Sequence, residues 1–198
     1  MELLLATRNP HKTREFRELL GSDLNLLGLS ASPGISLPGE TGRTFEENAI
    51  RKAVAVSKHR DLHDRHLLVF ADDSGLEVDA LGGAPGVFSA RYAGENATDQ
   101  ENIGKLLREL SQTRNRAARF RCVLALARNG EVLKTFQGVV DGTIVDLPRG
   151  SRGFGYDPVF VPVGFDQTFA ELAPEVKNQI SHRARAARQL RVALQTGA

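Results

Sequence analysis

Leu3, Leu4, Leu5 and Ala6 form a short apolar run that stops at Thr7. Such a run, ended by turn formers, predicts a buried strand over 2–6. Asn9 and Pro10 suit the N-cap and first position of a helix. Phe16, Leu19 and Leu20 recur at helical spacing, so a helix is expected over 10–20. A second strand is expected at 24–29. From Ser32 to Gly42, two prolines and three glycines predict a loop. Thr44 and Glu47 stand in capping-box spacing and open a helix over 44–59. Residues 67–71, Leu-Leu-Val-Phe-Ala, are apolar throughout, the pattern of a central strand buried on both faces.

Residues 79–94 read as irregular. Thr98 and Glu101 repeat the capping-box spacing, and Ile103, Leu106, Leu107 and Leu110 share one face of the helix that follows. Phe120, Cys122, Leu124 and Leu126 alternate along a strand at 119–127. Asn129-Gly130 is a strong hairpin signal and pairs it with a strand at 131–140. Residues 149–165 are rich in Gly, Pro and aromatics. A last helix begins near Ser181. There is no internal repeat and no low-complexity segment. Helices interleaved with strands, plus one hairpin, predict an α/β fold with a mixed sheet.

Composition narrows the class. The chain has 198 residues, the size of a single domain, 1–198, or of two lobes around one continuous core. Apolar residues make up 41% and charged residues 25%, ordinary for a soluble globular protein. A formal net charge of +2 speaks against a nucleic-acid coat protein but leaves room for a local basic pocket. Cys122 is the single cysteine, so no internal disulfide and no cysteine metal cluster is expected. The first apolar run is too short for a signal peptide, and no stretch reaches the roughly 18–20 apolar residues of a membrane span. A cytoplasmic protein is expected, and the sequon Asn96-Ala97-Thr98 then carries no meaning.

Five short segments could carry chemistry, and each has a bland reading beside it. Thr7, Asn9 and Lys12 stand where a strand ends and a helix begins, a common ligand position in α/β sheets and a place that binds phosphate. Lys12, with Arg8 and His11, lies at the pole of a helix that prefers anions. The segment is either a phosphate site or a solvated helix start. It is not a P-loop, whose spacing is absent. Asp72 and Asp73 follow a core strand, and neighbours on an extended chain point to opposite faces, so the two should have different jobs. One of them either ligates a hard cation or accepts a proton, or both merely cap a turn before Gly75. Glu40 lies in a loop, and Asn48 and Lys52 share a helix face. Lys52 reaches a phosphate, or is solvated. "GFGYD", 153–157, permits close backbone approach, with Phe154 or Tyr156 placed to stack on a base, or is a Gly-rich turn with core aromatics. His182 and Arg183 are again cations in a first helical turn, suited to a carbonyl-rich base or a phosphate. Arg185, Arg188 and Arg191 read as a solvated face.

Taken together, "LATRNPHK", "ETGRTFEENAIRKA", "ADDSGLEVDALGGAPGVFSARYAG", "GFGYDPVF" and "ISHRARA" resemble, in this order, the inosine triphosphate pyrophosphatase family, also called dITP/XTP pyrophosphatases. The resemblance spans residues 3 to about 187. It implies an elongated mixed sheet flanked by helices, in two lobes with the active site in the cleft between them. It implies Mg²⁺-assisted attack of water on the α-phosphorus of non-standard purine triphosphates (ITP, dITP, XTP), cleansing the nucleotide pool. It also implies a homodimer, with no nucleic-acid or membrane partner. By the same resemblance, Thr7, Asn9, Lys12 and Lys52 are triphosphate positions. Glu40 and Asp73 are metal-site acids, with Asp73 also the general base. Ser74 is a substrate contact, and Phe154, Gly155, Tyr156, Asp157, Lys177, His182 and Arg183 are nucleobase positions. Arg8 stands where many members carry Gly. It means either a turn of different geometry or one more substrate-binding cation near the phosphates.

Two rival readings stay open at this point. A pyrophosphatase of neighbouring specificity, as in the Maf-like family, is opposed by the "SHR" and "GFGYD" segments. A non-catalytic nucleotide or single-stranded RNA binder would need a strongly basic surface and aromatic platforms. The chain has no Trp and two Tyr.

Overall fold

A computed structural model of the chain describes residues 2–29, 34–59 and 67–196. Strand β1 is Glu2–Leu5, helix α1 Pro10–Leu20, β2 Asn25–Gly28, α2 Phe45–Ser57 and β3 Leu68–Val78. Helix α3 is Asp99–Glu109, β4 Ala117–Arg128, β5 Glu131–Ile144, β6 Phe160–Pro162, α4 Pro174–Ile180 and α5 His182–Gln195. The strands hydrogen-bond in the order β2-β1-β3-β4-β5-β6. β1 runs parallel to both β2 and β3, and β5 runs antiparallel to β6, so the sheet is mixed as expected. Asn129 and Gly130, both at positive φ, make the two-residue turn from β4 to β5.

The chain divides into two compact units. The first holds Met1–Asp73, Cys122–Gly138 and Arg183–Ala198. Its core gathers Leu3 and Leu5 of β1, Phe16 and Leu20 of α1, Phe70 of β3, Leu124 and Leu126 of β4, and Ala186, Ala187 and Leu190 of α5. Phe16 and Phe70 meet edge to face at 5.3 Å. The second holds Ser74–Arg121 and Val139–His182. Its core gathers Leu76 and Val78, Ile103 and Leu106 of α3, and an aromatic group of Phe120, Phe160 and Phe169.

Several boundaries differ from expectation. β3 does not end at Ala71 but continues to Val78, carrying Asp72 and Asp73 inside the strand. Leu76 and Val78 are buried while Glu77 pairs with Arg121, an alternation that Asp72, Asp73 and Gly75 mask from an apolar-run reading. β5 likewise runs on to Ile144. Two short 3₁₀ turns, Asp79–Leu81 and Gly86–Arg91, occupy the stretch expected to be irregular. β6 and α4 have no counterpart in the expectation, because three and seven residues are too few to show a period. At α2, Thr44 accepts from the Glu47 amide, but the Glu47 carboxylate reaches the amide of Arg43 instead of closing the box on Thr44. At α3 the capping box is complete. Ser32 and Pro33, the start of the expected loop, lie outside the described residues; 34–42 is irregular, as expected.

Candidate active site

In the first unit the chain leaves β1 through a tight polar turn. The Thr7 hydroxyl accepts from the Asn9 amide at 3.2 Å. Asn9 caps α1, its Oδ1 accepting from the amides of His11 (2.9 Å) and Lys12 (3.3 Å). That oxygen is committed to the helix, so what Asn9 offers a ligand is its NH₂ group. Arg8 sends its guanidinium to the carbonyl of Ile35 at 2.9 Å, tying the turn to the segment that leads to Glu40.

The cations that looked misplaced have partners. Lys12 Nζ lies 2.6 Å from Asp72 Oδ2. Arg183 Nη1 donates to Glu15 on α1 at 2.9 Å, and its Nε lies 3.9 Å from Asp72 Oδ2. Cys122 Sγ donates to the other Asp72 oxygen at 3.1 Å. Burial alone would push the Asp72 carboxyl up; Lys12, Arg183 and Lys52 outweigh it and hold it well below the usual carboxylate range. Burial, and then the Asp72 charge, pushes the Cys122 thiol up, so it stays protonated and serves as a donor.

Asp73 faces a different set, as opposite pointing along a strand requires. Lys52, itself buried, donates to Asp73 Oδ1 (2.9 Å), to Glu40 Oε1 (2.9 Å) and to the Asp72 carbonyl (2.7 Å). Asn48, one turn earlier on α2, donates to Asp73 Oδ2 at 3.1 Å and accepts from the Gly42 amide at 2.8 Å. A Cβ on Gly42 would stand 2.6 Å from that Asn48 oxygen, so the backbone must be bare there. Burial raises the Asp73 pKa, Glu40 adds to the rise, and Lys52 and Lys12 oppose it without cancelling it. Burial pulls the Lys52 ammonium down, but Asp73, Glu40 and Asp72 more than compensate and leave it raised. Three oxygens thus converge on one cationic group. Two carboxylates suit a hard cation such as Mg²⁺, which takes few protein ligands. Among the described residues no cluster of three or more His, Cys, Asp and Glu forms a denser metal cage.

The second unit carries the other expected residues. Ser74, half-buried, follows Asp73 on β3. Loop 153–157 is built around Asp157, whose Oδ2 accepts from the Phe154 amide (2.9 Å) and from Lys177 (2.7 Å). Lys177 also lies over the Phe154 ring at 5.6 Å and over Phe169 at 5.7 Å. Tyr156 is buried and donates its hydroxyl to the Ser89 carbonyl at 2.9 Å, which leaves Phe154, half-buried, as the loop's more accessible ring. His182 lies flat on Phe120, ring centroids 4.7 Å apart and 9° from parallel.

The first unit therefore gathers Thr7, Asn9, Lys12, Glu40, Lys52, Asp73 and Arg183, and the second gathers Phe154, Gly155, Tyr156, Asp157, Lys177 and His182. Glu15 went unnoticed in the sequence. Its signal is spacing: three residues after Lys12, it shares that helix face. Asp72 was visible, but its role was not.

The model of the Ham1 family matches residues 3–193. A dITP/XTP pyrophosphatase of Bacillus licheniformis is 50% identical over 195 residues, covering 96% of this chain and 95% of its own. The protein of the same name from Bacillus subtilis is also 50% identical, covering 96% and 94%. Among solved structures, a HAM1 protein from Coxiella burnetii superimposes with a TM-score of 0.87 at 44% identity over the whole of both chains. The Staphylococcus aureus Ham1 protein gives 0.86 at 43%, again over both whole chains.

Proposed function

The chain belongs to the Ham1 family, and from that premise we propose how it works as a nucleoside triphosphate pyrophosphatase. It hydrolyses non-standard purine triphosphates to the monophosphate and pyrophosphate. ITP, dITP and XTP are the substrates, Mg²⁺ is the cofactor, and 1–198 is one pyrophosphatase domain. The protein acts in the cytoplasm as a homodimer, a state that sedimentation checks. Among the described residues no helix is long and apolar enough to cross a membrane.

The observation that carries the reading is the group around Lys52, where Glu40, Asp73 and a backbone carbonyl meet one ammonium beside the Asp72–Lys12 pair. A purine triphosphate brings close to four negative charges, so neutralisation dominates the barrier. Lys12, Lys52, the Thr7 hydroxyl and the Asn9 NH₂ bind the phosphates, and Arg8 holds the turn that presents them. Glu40 and Asp73 would hold Mg²⁺, which supplies further charge neutralisation at the phosphate oxygens. The oxygen of water bonds to the α-phosphorus. The bond from that phosphorus to the bridging oxygen breaks, and pyrophosphate leaves. Asp73 takes the water proton. Asn48 and Lys52 orient its two oxygens.

Ser74, Phe154 to Asp157, Lys177, His182 and Arg183 serve the nucleobase. Hypoxanthine and xanthine present an acceptor oxygen at the 6-position, where adenine presents an amino donor. A donor such as Arg183 satisfies the first and leaves the second facing a donor, a mismatch worth up to ~10⁴ in strong cases. The test is pyrophosphate release from ITP, XTP, GTP and ATP, with and without Mg²⁺. Release from ITP and XTP that stops on chelation supports the reading. Equal rates on ATP, or release without a divalent ion, overturn it.

A further inference from the structure

The base-side loop has an anchor that lies outside every segment assigned to the site. Asp99 is the first residue of α3, and its Oδ2 accepts from the Gly155 amide at 2.6 Å. Gly155 sits at φ +60 and Gly153 at φ +75, two left-handed residues that give the loop freedom to take other shapes. Side-chain hydrogen bonds from three sides help fix one shape. Asp157 holds the Phe154 amide from inside. Tyr156 holds the Ser89 carbonyl, and the Ser89 hydroxyl in turn accepts from the Leu76 amide at 2.9 Å and donates to the Gly86 carbonyl at 2.6 Å. Asp99 holds the middle of the loop from without.

Asp99 is not needed to cap its own helix. Thr98 and Glu101 already form a complete capping box. Asn102, one turn on, is spent on the neighbouring segment, accepting from the Ala93 amide at 2.7 Å and donating to the Ala90 carbonyl at 3.2 Å. The first turn of α3 thus serves as a post to which two loops are tied. The carboxylate of Asp99 is also an acceptor only, so it dictates which way the Gly155 amide points.

We propose that Asp99 is a positioning residue for the pyrophosphatase reaction: it orients the Gly155 amide and so sets the loop that takes the purine base. This rests on the functional reading above. Asp99 belongs to the second unit and the phosphate-site residues to the first, so its loss affects recognition of the base while leaving the phosphate site intact.

The experiment compares Asp99→Ala with Asp99→Asn, which keeps a side-chain oxygen. Gln100→Ala, an exposed first-turn change, is the control. Three quantities are read: KM and kcat for MgITP, inhibition by inorganic tripolyphosphate, and amide hydrogen exchange at Gly155. The expected result for Asp99→Ala is a threefold to tenfold rise in KM, kcat within twofold, unchanged tripolyphosphate inhibition and faster Gly155 exchange. Asp99→Asn recovers most of the KM. Tyr156→Phe, which cuts the tie to Ser89, raises KM in the same way. An unchanged KM or an unchanged Gly155 exchange in Asp99→Ala overturns the proposal. So does an equal loss of tripolyphosphate inhibition, which would mean general damage. A wild-type protein inactive on ITP would instead overturn the functional reading itself.

Discussion

Asp72→Asn separates the two roles of the adjacent carboxylates. The substitution keeps shape and removes one charge from a side chain with no exposed surface. Its two oxygens face Lys12 at 2.6 Å and the Cys122 thiol at 3.1 Å, so the new NH₂ group must confront one donor or the other. Removing one partner of a buried pair costs about 3–5 kcal/mol. Two features reduce this. Lys12 keeps 15% of its side chain in water, and Arg183 keeps Glu15 at 2.9 Å. A loss of about 2–3 kcal/mol at pH 7 is therefore expected, equivalent to roughly 4–12 °C in melting temperature for a chain of this size. Urea unfolding reads it as a lower midpoint with an unchanged slope. The pH dependence follows from the depressed Asp72 pKa. Its contribution is fully present above the ordinary value of 3.8 and is lost as pH falls through the lower folded value. Wild type and variant thus converge only in strong acid. A variant within about 0.5 kcal/mol of wild type at pH 7 would refute the idea that Asp72 holds this network.

Asp73→Asn reads on turnover: kcat on MgITP falls by at least ~10²-fold, the usual cost of losing a general base. Carboxyl-carbon NMR of the metal-free protein should show Asp73 titrating above 3.8 and Asp72 below it; the reverse order would remove the basis for both roles. Gly153→Ala should cost at least ~1–2 kcal/mol from its left-handed backbone alone. The added Cβ would also stand 2.0 Å from Asp157 Oδ2, so a rise in KM for ITP should accompany the loss, and an unchanged KM would mean the loop does not meet the base.

The parts legible in the sequence are those where a local rule has only one outcome. Asn9-Pro10 starts a helix, Asn129-Gly130 turns a hairpin, and Thr98 with Glu101 closes a capping box. The split between Asp72 and Asp73 was legible too, because alternation along a strand is a property of the backbone. What alternation cannot say is which neighbour comes from a distant part of the chain. Asp72 meets Cys122 from β4 and Arg183 from α5, contacts set by the order of strands and not by any spacing near Asp72. The same holds for Asp99, which local rules place as an ordinary first-turn acid. Only tertiary packing brings Gly155 to its carboxylate.

The charge pattern of the first unit bears on why a divalent ion is needed at all. Lys12, Lys52 and Arg183 are answered by Glu15, Glu40, Asp72 and Asp73, three cations against four carboxylates. A set of lysines awaiting a phosphate would attract a tetra-anion unaided. This set does not, because each cation is already held by at least one acid at 2.6–2.9 Å. A triphosphate must compete with those acids for Lys12 and Lys52, and the displaced carboxylates must find other positive charge. Glu40 and Asp73 would hold a divalent cation, whose charge would meet that need. Asp72 is different: it has a second cation, Arg183, with Nε at 3.9 Å. On the proposed metal site, substrate affinity, and not only the chemical step, would depend on the metal. ITP binding to the wild-type protein should be weak in the absence of a divalent ion, where turnover does not obscure the measurement.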